Sequence, residues 1–317
     1  MGRYRRTVSF PNPPTPNIRA NRPAAKGYHV RSASLPCGRS HPLIPQLRDE
    51  VAELGTWEMA RSGPRSGQLV DGLARLKSVL DSLDDVLQLP QTQDFLSSKT
   101  DVVEKLLEDF LRFVDVYGIF QASLLGLKQE VSAAQVALRR KDDSKLGLYM
   151  KAQKKIASEV GKLLSAVGSV PQQLPVVTSA VVVVSDYDHE LGPVIRDVHR
   201  LTASVSEAVF GSVSGCYGPG RRWAGFGLGW RVKKEEQGVI EEFQKVIGGV
   251  ESLLEMRKNI KGDKKKHNNE EEILRMGVLK GMQELEDCIG DMEKQSERVF
   301  RSLISTRVSL LNILTHA

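Results

Sequence analysis

Apolar residues recur at alternating intervals of three and four along most of the chain after Pro45. The clearest stripe keeps this spacing from Val103 to Leu138, and no proline occurs between Gln91 and Val170. Side chains spaced in this way lie on one face of an α-helix, so the pattern predicts a long helix that buries that face.

Shorter stripes predict further helices before and after this one. They run from Leu47 to about Arg61, from Leu69 to Leu87, from Leu146 to Val167, from about Pro193 to Ser212 and from Ile240 to Leu254. A short polar turn at Asp142–Ser144 separates two of the long stripes. Helices joined by such a turn should pack antiparallel.

The final stripe predicts one helix from Glu270 to Leu314, with Asn269 as its N-cap. Such a helix would extend about 65 Å at the usual rise per residue. That length favours an elongated bundle, or self-association in which the C-terminal helix packs on a helix of another chain. The β-branched run from Val176 to Val184 has no partner strand in so helical a chain, and we interpret it as the approach to a helix.

The charges divide the chain into two parts. Residues 1–48 hold nine Arg and Lys side chains and no Asp or Glu, whereas residues 49–317 hold 36 basic and 39 acidic side chains, a net of −3. The pI near 9.1 is therefore a property of the N-terminal segment, and it does not indicate a nucleic-acid-binding body. Eight of the 14 prolines lie in residues 1–45, so this segment can bury little apolar surface and we expect it to be disordered.

Together these patterns predict an all-α protein, an elongated antiparallel helical bundle with a long C-terminal helix and a disordered N-terminal tail. We expect the basic tail in residues 1–42 and the bundle domain in residues 43–317. A Gly-rich irregular insert at 211–234 and a charged linker at 257–268 should interrupt the bundle.

Residues that could carry chemistry form no recognised constellation in the sequence. It lacks a P-loop, a dinucleotide fingerprint, a nucleophile elbow and a zinc-protease motif. Cys37, Cys216 and Cys288 lie too far apart along the chain for a metal or redox motif. We therefore expect no catalytic, cofactor-binding or metal-binding residues, and a protein that is not an enzyme.

One aromatic segment could contact a membrane. Trp223, Phe226 and Trp230 are flanked on both sides by arginines and lysines, which is typical of an interfacial anchor. The alternative is a loop whose tryptophans pack on the bundle. No apolar run approaches the roughly 20 residues that span a bilayer, so we expect at most a peripheral association.

The tail contains one motif with a defined mechanism. Its residues Arg31, Ser32, Ser34 and Pro36 read R-S-x-S-x-P. A basophilic kinase would recognise Arg31 three residues before Ser34, and the phosphorylated product has the form that 14-3-3 proteins bind through an arginine cluster. The alternative is a bare loop of unassigned role.

Three stretches give the sequence a family resemblance: Tyr28 to Pro42, Leu89 to Gln93, and Thr306 to Leu314. Together they resemble the plant-specific family called "domain of unknown function 241", which is related to the BYPASS-like proteins. The resemblance implies a helical protein with no known activity or cofactor and a link to root and shoot development. It carries no catalytic residues over to this chain.

These observations favour a regulatory protein that acts through protein–protein interactions of its tail. A peripheral membrane protein anchored by the aromatic segment is the alternative. We expect a cytoplasmic location. A plastid location is the alternative, because an Arg- and Ser-rich segment without acidic residues also fits a transit peptide.

Overall fold

A computed structural model describes residues 41–60, 66–170, 186–215, 240–258 and 264–316. Within these ranges the chain forms eight α-helices and no strand. They are α1 (Leu43–Met59), α2 (Ser66–Leu87), α3 (Pro90–Ser97), α4 (Thr100–Arg140), α5 (Asp143–Gly168), α6 (Asp186–Gly215), α7 (Glu241–Lys258) and α8 (Lys264–His316). The all-α bundle and its long final helix are therefore confirmed.

Helix α4 is the central element of the bundle, and it packs against α5 on one side and α8 on the other. Helix α2 packs against α8, and α6 closes the ring by contacting both α2 and α5. Helix α1 packs on α2 and α6, and α7 packs mainly on α8. Large aromatic side chains of α4 and α6 fill the centre, among them Phe120 and Phe210 with ring centroids 4.6 Å apart.

A tight turn joins α4 to α5, as the polar Asp142–Ser144 sequence predicts. Lys141 adopts a left-handed backbone conformation with φ 58° and ends α4, and its N–H bonds back to the carbonyls of the last turn. The Asp142 side chain then accepts a hydrogen bond from the Lys145 N–H at 3.1 Å and caps α5. The two helices run antiparallel, with Gly126 against Ile156.

Neighbouring helices are mostly antiparallel, but α1 and α6 run parallel, and so do α2 and α8. Asp81 and Asp84 of α2 contact Ser302 and Ser305 of α8 in the same order along both helices. A short loop forces consecutive helices to reverse direction, whereas the helices of each parallel pair are far apart in sequence and are free of that constraint.

Two predicted boundaries inside the bundle domain are wrong. The described residues of the charged linker at 257–268 are helical, because α7 continues to Lys258 and α8 already begins at Lys264 rather than at Glu270. Lys and Glu are good helix formers, and Arg257 pairs with Glu271 at 2.7 Å, which fastens the end of α7 to α8. The described part of this charge run therefore belongs to α7 and α8.

The first residues of the predicted Gly-rich insert at 211–234 are helical rather than irregular. Helix α6 runs from Asp186 through Gly215 and contains Pro193 in its interior rather than at its start. Buried Leu191, Val194 and Val198 surround the proline and keep the helix packed across it. The remainder of the insert, the tail before residue 41 and the Val176–Val184 run lie outside the described residues.

Helix α3 is an element that the stripes did not predict. Pro90 ends α2 as expected, but it also occupies the first position of α3. Proline is tolerated there because the N–H group that it lacks would have no hydrogen-bond acceptor within the helix. Thr92 is fully buried, and α3 packs against the start of α4 and against α8. The short helix thus covers one end of the bundle.

Candidate functional site

The residues predicted to act in partner or membrane binding fall outside the described part of the chain. They are Arg31, Ser32, Ser34 and Pro36 of the tail motif, and Trp223, Phe226 and Trp230 of the aromatic segment. The phosphorylation site and the membrane contact therefore stay predictions.

Sequence reasoning missed a buried polar cluster between α4 and α6. His199 of α6 places its Nε2 atom 3.1 Å from Oδ2 of Asp109 on α4. Lys105, one turn before Asp109, donates from Nζ to the other carboxylate oxygen at 3.0 Å. Asp109 and His199 are 0% and 1% exposed, whereas Lys105 reaches the solvent.

The arrangement fixes the charge state of this cluster. Burial lowers the pKa of His199, the neighbouring Asp109 opposes that effect, and Lys105 adds to it. The Nδ1 atom of His199 has no hydrogen-bond partner among the described residues, so protonation there would bury an unpaired N–H donor. We assign a neutral imidazole that donates from Nε2 to the Asp109 side chain, which also accepts from Lys105.

An Asp–His pair is the arrangement that catalysis uses for a general base, but this one faces no opening. The Phe113 ring packs edge-on against the imidazole with centroids 5.7 Å apart. Further along the same two helices, Ser206 of α6 donates to the Tyr117 hydroxyl of α4 at 3.2 Å. The polar groups thus hold two helices that face each other across the core.

A second polar seam joins α2 to α8. Asp84 accepts hydrogen bonds from Ser305, at 2.9 Å, and from Ser309. Between these two serines, the buried Thr306 hydroxyl contacts the Leu80 carbonyl of α2 at 3.4 Å. Hydroxyl and carboxylate groups placed one helical turn apart fix the register of α8 on α2.

Two of the stretches that carry the family resemblance meet near the C-terminal end of α8. The stretch Leu89–Gln93 forms the corner between α2 and α3, and Thr306–Leu314 forms the last turns of α8. Helix α3 packs against α8, so these two stretches build one packed unit. Both serve helix packing in the described structure.

The sequence model of the family described as Protein BPS1 matches residues 72–313. The chain belongs to the BPS1 family. The match begins within α2 and ends within α8, so it covers the central helices of the bundle. It confirms the resemblance to the BYPASS-like proteins. No curated protein and no solved structure matches this BPS1-family chain significantly.

Other features of the described residues offer little for ligand chemistry. No group of three His, Cys, Asp or Glu side chains in that part of the chain could hold a metal ion. A cleft of about 240 Å³ opens at the junction of α1 and α2, and it is lined by Trp57, Ala60, Gly67, Gln68 and Asp71. The Asp71 carboxylate in this cleft already pairs with Arg75, one turn along α2.

The expectation that no segment could span a bilayer needs one correction. Helix α4 is long and apolar enough to do so by length and composition alone, with a mean hydropathy of 1.3 in its most apolar stretch. In the bundle, α4 packs between α5 and α8 and carries the buried Asp109. The core helix of a soluble bundle has the same composition.

Proposed function

We propose that this protein is a non-catalytic regulatory protein of plant development whose helical body presents a phosphorylatable N-terminal segment to partner proteins. Membership of the BPS1 family carries the regulatory part of the proposal. The described helices are consistent with a scaffold, because contacts such as His199–Asp109 and Ser305–Asp84 join separate helices to each other. The cytoplasm is the proposed location, with a plastid as the alternative.

The tail motif supplies the mechanism. Arg31 provides the basic determinant for a kinase that phosphorylates Ser34, and Pro36 turns the chain after the phosphate. The segment has no acidic residue of its own, so a phosphate would be the anionic group there. A 14-3-3 protein would bind it through charge-assisted hydrogen bonds from an arginine cluster.

Peptides spanning Val30 to His41 test this proposal in a direct binding measurement. The peptide phosphorylated at Ser34 should bind a 14-3-3 protein, and binding should weaken as salt is raised because the contacts are ionic. In the full-length protein, Ser34→Ala should remove the interaction, whereas Ser32→Ala should weaken it less. Equal binding of the phosphorylated and unmodified peptides would reject the mechanism.

A further inference from the structure

Helix α5 has a different charge from the rest of the bundle. It carries five lysines against two acidic residues, Asp143 and Glu159, a net of +3. The other seven described helices have net charges between −3 and zero. Asp143 is moreover already paired with Arg257 at the end of α7. One arm of the α4–α5 hairpin is therefore a cationic surface on an otherwise acidic body.

Three of these lysines form a single row on the outer face of α5. Leu148, Lys151, Lys155, Ser158 and Lys162 follow each other at spacings of three and four, and all five are exposed. This spacing places them on one line along the helix, about 21 Å long. We call this line the lysine row.

The charges of the lysine row are largely unpaired. Lys155 is 78% exposed and lies 3.9 Å from Glu159, a separation at which an exposed pair contributes little. Lys151 and Lys162 form no salt bridge with any described residue, and neither does Lys154 beside the row. The positive potential is therefore available to an external anion.

We propose that the lysine row binds the surface of an anionic lipid bilayer. The row lies on the convex face of a single helix, which suits a broad charged surface better than a peptide that needs a groove. Lysines are flexible point charges and do not require the fixed geometry that arginines give to a specific phosphate. Leu148, which is 62% exposed in the same row, can enter the headgroup region while the lysines stay at the interface.

Helix α5 itself supports a lipid partner over a nucleic acid, because its row combines cations with the exposed apolar side chain of Leu148. The exposed face of α5 has no aromatic side chain on which bases could stack.

The test is vesicle sedimentation of the full-length protein with three matched proteins. The first is the wild type, the second carries Lys151→Gln, Lys155→Gln and Lys162→Gln, and the third carries Lys245→Gln, Lys280→Gln and Lys294→Gln. The control lysines lie on α7 and α8 and are 59%, 81% and 72% exposed. Their substitution removes the same total charge as the substitutions in the lysine row. The tail and the aromatic segment are unchanged in all three, so their contribution cancels.

Wild type and control should bind vesicles of phosphatidylcholine with phosphatidylserine, and the row variant should bind at least tenfold more weakly. Each lysine near an anionic surface is worth about a factor of five in affinity at physiological salt. Ser158→Asp should weaken binding by a similar single-charge factor, and Ser158→Ala should leave it unchanged. Circular dichroism should show the same helix content for every variant, because the substituted side chains are exposed.

Three results would overturn the proposal. The first is that the wild type binds neither anionic nor neutral vesicles. The second is an equal loss in the row variant and the control, which would mean that only total charge matters. The third is that a soluble acidic polypeptide or double-stranded RNA removes the wild type from vesicles at an equal charge concentration, which would make the partner a protein or nucleic acid.

Discussion

Acidification should destabilise the fold through the buried imidazole of His199. In the folded protein this ring is 1% exposed, its Nδ1 atom has no partner among the described residues, and burial lowers its pKa. The unfolded chain has none of these restraints and takes up a proton near the ordinary pKa of 6.5. Because the unfolded state binds the extra proton, stability is lost as the pH falls below about 6.5.

The size of this effect follows from proton linkage. Each pH unit below the unfolded-state pKa removes up to about 1.4 kcal/mol, as long as the folded-state imidazole stays neutral. Between about pH 7.5 and about pH 5 the loss reaches about 2 kcal/mol at most, when the folded-state imidazole stays neutral throughout. That is a sizeable share of the roughly 5–15 kcal/mol that separates the folded and unfolded states of ordinary domains.

Urea unfolding at a series of pH values measures this loss if the wild type is compared with His199→Gln. The glutamine amide can still donate to Asp109 but does not titrate. Titratable groups away from this site are the same in both proteins, so the difference between the two free energies of unfolding reports on the His199–Asp109 pair. The wild type should lose more than the variant over this range, up to about 2 kcal/mol. Parallel pH profiles, or a nuclear magnetic resonance titration that protonates His199 in the folded protein at pH 6.5 or above, would refute the reasoning.

Three further predictions concern packing inside the bundle. A Cβ at Gly249 would lie 2.5 Å from a valine methyl of α8, whereas a Cβ at Gly248 would meet nothing within 4 Å. Gly249→Ala should therefore lower the free energy of thermal unfolding by about 1–3 kcal/mol. Gly248→Ala, the matched control, should be neutral or stabilise the protein by up to about 1 kcal/mol. Gly72→Ala would displace the Trp57 ring that covers this glycine, so tryptophan fluorescence should shift to the red and stability should fall by about 1–3 kcal/mol. Burial raises the pKa of the Cys288 thiol to about 12, so mass spectrometry should find it unlabelled by a thiol reagent at neutral pH until the protein unfolds.

The helices could be predicted from sequence wherever an apolar stripe is long. The stripe from Val103 to Leu138 lies within α4, because the spacing of buried side chains along one helix is a local property. The start of α8 at Lys264 could not be read in this way. A charged run without apolar periodicity looks the same whether it is a linker or the exposed first turns of a helix.

The polar cluster of the core shows a different limit. Asp109 lies three residues after Leu106 and four before Phe113, so its place on the buried face of α4 could have been read from the stripe. Its partner could not, because His199 is 90 positions away and only the packing of α4 and α6 brings the two together. The lysine row, in contrast, follows from spacing on one helix and needs the structure only to show that its face is exposed.

The contact between α2 and α8 has a consequence for synthesis of the chain. Ser302 and Asp81 meet across 221 positions, and α8 also covers a face of α4. At about 5–20 residues per second, roughly ten to forty seconds pass between translation of the end of α2 and the start of α8. During that interval the apolar faces of α2 and α4 lack the α8 surface that covers them in the final fold, so the nascent chain exposes apolar surface of the kind that chaperones bind. A chain cut short before α8 never covers these faces and becomes a substrate for degradation.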